Sequence, residues 1–299
     1  REWHASISWH RQEEVRDRIR NNCDRDLQGF DVNQLGFFVH ATSDTPIGEL
    51  TYGLDYYRDW VKSFKTGSTI QGPVADDATY DLLGVFVQDR IELTPSFELL
   101  LGGRFTYARA DAGSVDLDPD GDGVDEAAAF DEDWVNFAGN ARFSWFIDPK
   151  DHWNLFGGVS QGFRAPNLSD LTRDADFGGG VEAPAPGLDP ENYVMFEIGA
   201  KAQYPDLTLQ GSFFHYLMFD RIIRVDATAP GNEFGKINSD DGFIQGIELG
   251  AAWRFLPELQ LFGNFAYFDS EVESINPDSG EIVDDFTSRL PPPMGQVGL

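Results

Sequence analysis

The sequence predicts an all-β protein: an antiparallel up-and-down sheet whose strands cross a membrane as the wall of a β-barrel. Three observations carry this expectation. Five short connections each hold a proline, Pro46, Pro95, Pro149, Pro205 and Pro257, spaced by 49, 54, 56 and 52 residues. Proline cannot donate to a strand ladder, so these segments read as tight turns. Polar stretches at roughly 15–31, 62–78, 110–131, 164–190, 222–240 and 270–290 alternate strictly with those turns, the pattern of strands joined by short turns at one end and long loops at the other. The segments between them alternate apolar and polar residues on a two-residue period, with apolar rows that end in Trp or Tyr.

The elements follow in chain order. A first strand precedes the polar stretch 15–31, and a second runs from it into the turn Ser43-Asp-Thr-Pro46. A third and a fourth flank 62–78, the fourth ending at Thr94-Pro95-Ser96, and a fifth leads from there into 110–131. The sixth, Asn136–Ile147, places Phe137, Gly139, Ala141, Phe143 and Trp145 on one face and Asn140, Arg142 and Ser144 on the other, and it ends at Asp148-Pro149-Lys150. The seventh climbs into 164–190. The eighth, Asn192–Tyr204, sets Val194, Phe196, Ile198, Ala200, Ala202 and Tyr204 against Glu197, Gly199, Lys201 and Gln203, then turns at Tyr204-Pro205-Asp206. A ninth strand leads to 222–240. The tenth, Phe243–Phe255, sets Ile247, Leu249, Ala251, Trp253 and Phe255 against Glu248, Gly250, Ala252 and Arg254, before Leu256-Pro257-Glu258. An eleventh reaches 270–290, and a twelfth begins after it, incomplete. The chain opens at Arg1 without an initiator Met and stops at Leu299, which reads as an internal piece of a longer protein.

Composition bounds the rest. The 299 residues carry 22 Lys+Arg and 51 Asp+Glu, and 22 − 51 gives a net charge of −29, which argues against nucleic acid as a partner because phosphate contacts need Lys and Arg. A single cysteine, Cys23, excludes an internal disulfide framework and a Cys-based zinc site. No apolar run approaches the ~18 residues of a membrane helix. A mean hydropathy of −0.34 would describe a soluble chain, but a barrel hides its lipid-facing row between polar residues. A half-buried strand of a soluble sandwich alternates in the same way. The barrel is favoured by Tyr and Trp beside the short turns, by strands of about 11–15 residues against the usual ~5–6, and by loops lengthened at one end only.

Ser160-Gln-Gly-Phe-Arg-Ala-Pro-Asn-Leu-Ser-Asp170 resembles the Phe-Arg-Ala-Pro box of TonB-dependent outer-membrane receptors. Val85–Leu93, Tyr193–Lys201, Ile244–Leu249 and Leu290-Pro-Pro-Pro-Met294 are similar to other barrel strands of that family, in its order, so the likeness covers about residues 80–299. The resemblance implies that these strands, about twelve, belong to a barrel of about 22 around an N-terminal plug, with the plug and the C-terminal strands outside this chain. It implies a monomer in the bacterial outer membrane, in contact with lipid and lipopolysaccharide, with the long loops outside. Such a protein is a transporter and not an enzyme: it binds a scarce ligand, most often a ferric siderophore, and imports it with energy from the TonB complex. Two alternatives stand beside it, a passive porin-like or structural barrel and a soluble secreted all-β calcium-binding protein.

Candidate sites are few. Asp116, Asp118, Asp120, Asp122 and Asp125, with Gly121 and Gly123 between them, resemble the start of a calcium loop. Position twelve of an EF-hand falls on Ala127 or Ala129, and a solvated acidic tip is the competing reading, since residues 110–133 hold ten acidic side chains and no basic one. Arg164 lies where a strand enters its long loop and is read either as a contact to an anionic ligand or as a clamp on loop carboxylates. Arg104, Arg142, Lys201 and Arg254 face the lumen, where they line a path for an anionic siderophore or pair with carboxylates of neighbouring strands or of the plug. Haem-uptake members carry a His between the Phe-Arg-Ala-Pro box and a second box; here no His lies between Arg164 and Pro190. The five histidines form no metal-binding pair, and no nucleophile set is present for covalent catalysis.

Overall fold

The structure, a computed structural model, describes all residues except 20, 22, 24, 118–125, 149, 151, 178–179, 227–232, 240, 276–281 and 286–289. The wall begins with β1 (Glu2–Ile19), β2 (Arg25–Thr45), β3 (Gly48–Lys65), β4 (Asp76–Thr94), β5 (Phe97–Leu117), β6 (Glu126–Phe146) and β7 (Trp153–Arg164). A one-turn helix α1 (Leu168–Leu171) and two short strands, β8 (Ala175–Phe177) and β9 (Gly180–Glu182), follow before β10 (Glu191–Tyr204) and β11 (Leu207–Phe219). Then come β12 (Arg221–Asp226), β13 (Glu233–Ser239), β14 (Gly242–Leu256), β15 (Leu259–Ile275), β16 (Ile282–Asp285) and β17 (Met294–Gly298). Among the described residues, neighbours in the main sheet run β1 to β7, β10, β11, β14, β15 and β16, with β17 pairing β15 lower down. Since β16 and β17 pair different parts of β15, they fill one position in the wall, and the sheet has the expected twelve places. Among the described residues β1 pairs β2 alone, so the sheet they form is open between its first and last strands.

The proline turns lie at one end of this sheet. Thr45 pairs Gly48, Tyr204 pairs Leu207, and Leu256 pairs Leu259, leaving two-residue loops. Pro149 lies outside the described residues; its turn is closed by Asp148, which accepts the Trp153 amide at 2.7 Å. The register also fixes which row faces lipid. Ile198 stands beside Phe213, Phe213 beside Ile247 and Ile247 beside Tyr267, and all four are exposed on the outer face. The neighbouring row, Lys201, Gln210, Gly250 and Asn264, faces the lumen. This is the alternation of a wall between lipid and water.

The polar stretches expected as long loops are strand for much of their length. β2 has 21 residues, about 70 Å of chain at ~3.3 Å per residue, far more than a ~25 Å apolar band requires. Beyond the band both faces meet water, so hydrophobicity ends while the hydrogen-bonded ladder continues. The connection between β1 and β2 therefore shrinks to residues 20–24. Two loops also carry structure that the polar pattern did not suggest: β12, β13, β9 and β8 form a separate four-stranded sheet, with β13 parallel to β9.

Candidate functional site

At the loop end the connection after β7 folds back against the inner wall, and its sequence explains how. Pro166 bars helix continuation from upstream, and Asn167 then caps α1: its Oδ1 accepts the Asp170 amide at 3.0 Å, while Asp170 Oδ2 accepts the Asn167 amide at 3.2 Å. This reciprocal pair is a capping box, which stabilises a helix too short to persist alone. The turn presents Leu168 and Leu171 to Val61, Ala75, Ala78, Ala110, Ala112 and Phe130. The run of alanines on the inner face leaves the space that the two leucines fill. Gln71 ties the layers together, donating to the Thr172 carbonyl at 2.7 Å and accepting the Asp116 amide at 3.1 Å. Thr172 Oγ accepts the Ala75 amide at 2.9 Å, and the Tyr80 hydroxyl donates to the Pro166 carbonyl at 3.1 Å.

Charges complete the assembly. Arg164 reaches Asp170 at 2.6 Å and also donates to Glu191, its direct cross-strand partner at the start of β10, so one guanidinium closes both ends of the loop 165–190. Glu191 accepts the Tyr193 hydroxyl at 2.7 Å and the Ile222 amide at 2.9 Å, carrying the link onward to β12. Asp170 is met on its other side by Lys236 of β13 at 3.1 Å. Lys236 also contacts Glu182 at 3.1 Å, and Glu182, at 0% exposure, is further met by Arg173 at 3.3 Å and by Arg224. A carboxylate so enclosed is tolerable only because cations surround it. Burial pushes the Asp170 carboxyl up, but the hydrogen bonds from Arg164 and from the Asn167 amide outweigh it and hold the group below the usual carboxylate range.

The four arginines singled out by sequence do not converge: Arg254 lies at the turn end of β14, 3.8 Å from Asp206. Arg142 lies opposite Gly158, six residues below Arg164 on β7, roughly 20 Å along the strand, and pairs with Glu197 at 2.5 Å. Arg104 makes a two-pronged contact with Asp55, both bonds 2.8 Å, by crossing Gly84 on the strand between them. A Cβ at position 84 would stand 1.8 Å from the Arg104 terminal nitrogen, so glycine is what opens that crossing. Of the proposed calcium ligands, Asp118, Asp120, Asp122 and Asp125 lie outside the described residues; Asp116 sits near the end of β5, and no group of three metal-ligating side chains occurs among the described residues. The sequence reading did not single out Glu182, Lys236, Arg224 or Glu191. The Asn167…Asp170 spacing was the one available signal, as a helix start.

Residues 3–299 match the family model described as TonB dependent receptor-like, beta-barrel. The chain belongs to that family. As a TonB-dependent receptor barrel it lies in the bacterial outer membrane. It is 27% identical over 251 residues to the iron-regulated outer membrane virulence protein of Vibrio cholerae, covering 79% of this chain and 34% of that protein. It is 24% identical over 205 residues to the probable TonB-dependent siderophore receptor PiuA of Acinetobacter baumannii, covering 66% of this chain and 25% of that one. The solved structure of the copper transporter OprC superposes with a TM-score of 0.80 at 17% identity, covering 99% of this chain and 46% of OprC. The chain thus spans about a third or less of the curated relatives it matches.

Proposed function

We propose that the chain is part of the wall and mouth of an outer-membrane importer for a scarce metal chelate, with a ferric siderophore as the first candidate, powered through TonB. The loop end faces the outside in this reading, a plug domain and further strands complete the barrel, and the protein works as a monomer. The observation that carries the proposal is the mouth itself: on a wall of this receptor family, Leu168, Leu171 and Leu188 of the connection after β7 pack against the inner face, and Arg164, Asp170 and Glu191 fix that connection there. Arg164 acts by holding that loop, because both of its carboxylate partners are already engaged. The name of the Acinetobacter relative supports a siderophore, and that of the Vibrio relative supports an iron-linked role.

The test is uptake of radio-iron presented on a panel of siderophores to iron-starved cells expressing the full receptor, with and without a functional TonB. Accumulation that needs both the receptor and TonB is expected for at least one chelate. Accumulation that persists without TonB would describe a passive pore instead.

A further inference from the structure

A cavity of about 650 Å³ lies between α1 and the loop-end inner face of β1–β4, within the range of small-ligand sites. Its polar lining includes Gln12, Glu14, Gln28, Asp59, Tyr80 and Asn167. Gln28 is the informative member: it is 5% exposed, and its side-chain carbonyl oxygen is buried without a hydrogen-bond partner. A buried acceptor left unmet costs free energy unless something fills the site. Asp59 accepts one bond, from Gln34 at 2.8 Å, and among the described residues neither it nor Glu14 is bridged by lysine or arginine. Arg16 and Arg173 also line the cavity, but Asp26 at 3.1 Å and Glu182 at 3.3 Å already engage them. Arg16 retains a buried Nε–H without an acceptor and so offers one directed hydrogen bond, whereas the Arg173 Nε is the atom that faces Glu182.

We infer that this cavity is a binding site for a chelate of neutral or positive net charge that presents hydrogen-bond donors, and that it discriminates against polyanionic chelates. The inference rests on the importer reading and specifies its substrate class. The two carboxylates and the Gln28 oxygen receive donors from the ligand, and the Nε–H of Arg16 meets one of its acceptors. A polyanion would have to enter past Glu14 and Asp59, while both arginines among the described lining residues are already engaged by carboxylates, at a cost of like-charge repulsion in a partly desolvated site.

Binding is measured on the full receptor purified in detergent, with two probes: ferrioxamine B, a ferric trihydroxamate bearing one ammonium group, and a triply negative ferric tris-catecholate. Ferrioxamine B is expected to bind at least about tenfold more tightly. Asp59→Asn should weaken it about tenfold and Gln28→Leu about fivefold, the worth of a charged and of a neutral hydrogen bond. Gln28→Glu keeps the acceptor and should retain or strengthen ferrioxamine B binding, which separates a ligand contact from a folding defect. Equal or tighter binding of the tris-catecholate, no binding of either probe, or indifference to both Asp59→Asn and Gln28→Leu would overturn the inference. TonB-dependent uptake of the tris-catecholate would do so while leaving the importer reading intact, whereas ferrioxamine B binding with no TonB-dependent uptake would do the reverse.

Discussion

Replacing Glu182 by Gln removes the charge at the centre of the mouth while keeping its shape and an acceptor. Three cations lose their counter-charge: Lys236 at 3.1 Å, Arg173 at 3.3 Å and Arg224. Breaking a buried ionic contact by removing one partner costs about 3–5 kcal/mol. The lower end applies here, because Arg173 and Arg224 are about a third exposed and Lys236 keeps Asp170. A loss of about 3 kcal/mol corresponds to roughly a hundredfold rise in the opening equilibrium of the mouth, at tenfold per 1.4 kcal/mol. Amide hydrogen exchange reads that equilibrium locally. The reporters are the Ala183 amide, bonded to the Phe234 carbonyl at 2.8 Å, and the Ala185 amide, bonded to the Leu171 carbonyl at 2.9 Å. Both should exchange about a hundredfold faster in the variant, while amides in the ladder between β10 and β11 stay unchanged. Acceleration of less than about threefold at Ala183 and Ala185, or equal acceleration in the ladder, would refute a mouth held by the Glu182 network.

Three further outcomes are expected. Leu171→Ala removes a side chain at 0% exposure from the contact with Ala75, Ala78 and Ala110, at a cost of about 2–5 kcal/mol; maleimide labelling of a Ser169→Cys reporter on whole cells should accelerate, and an unchanged rate would deny that the leucines anchor α1. The Asp170 carboxyl is held below its ordinary value, so its contribution to the mouth is complete above about pH 3.9 and is lost only as pH falls through its lower folded value; exchange at Ala183, corrected for intrinsic rate, should stay flat from neutral pH to about 5, and a rise between pH 7 and 6 would contradict this sign. Gly84→Ala puts a methyl 1.8 Å from the Arg104 terminal nitrogen and forces the arginine off the buried Asp55; the denaturant midpoint of the refolded barrel should drop by the equivalent of about 2 kcal/mol, and an unshifted midpoint would mean that the crossing is dispensable.

The wall was legible because its signals are local. Pro46, Pro205 and Pro257 mark two-residue turns, and the alternation in Asn192–Tyr204 survives unchanged in the register of β10 against β11. Strand ends were not legible, because hydropathy reports where the bilayer stops and not where the ladder stops. The mouth was the least legible part. Its contacts join residues remote in sequence, Lys236 to Asp170 across 66 positions and Arg224 to Glu182 across 42, and no periodicity links such pairs. The alanines at 75, 78, 110 and 112 were visible as small residues, but their meaning depends on Leu168 and Leu171 arriving from another connection.

The two parts of the molecule are stabilised by different physics, and this bears on how the mouth can respond to a ligand. In the wall every backbone group must be paired because lipid offers none of its own bonds, so the ladder tolerates little local rearrangement. The mouth stands in water and can be held by side-chain charges instead. Glu182 belongs to β9 in the connection 165–190, whereas Arg224 and Lys236 belong to β12 and β13 in the connection after β11. One carboxylate therefore fastens two connections that the wall attaches at separate strands. A ligand that displaces Arg173, which lines the cavity and contacts Glu182, acts on a junction shared by both connections while the ladder beneath stays paired. Coupling of that kind requires a two-state element biased from both sides, and on the importer reading the junction at Glu182 is where such an element acts without movement of the barrel wall.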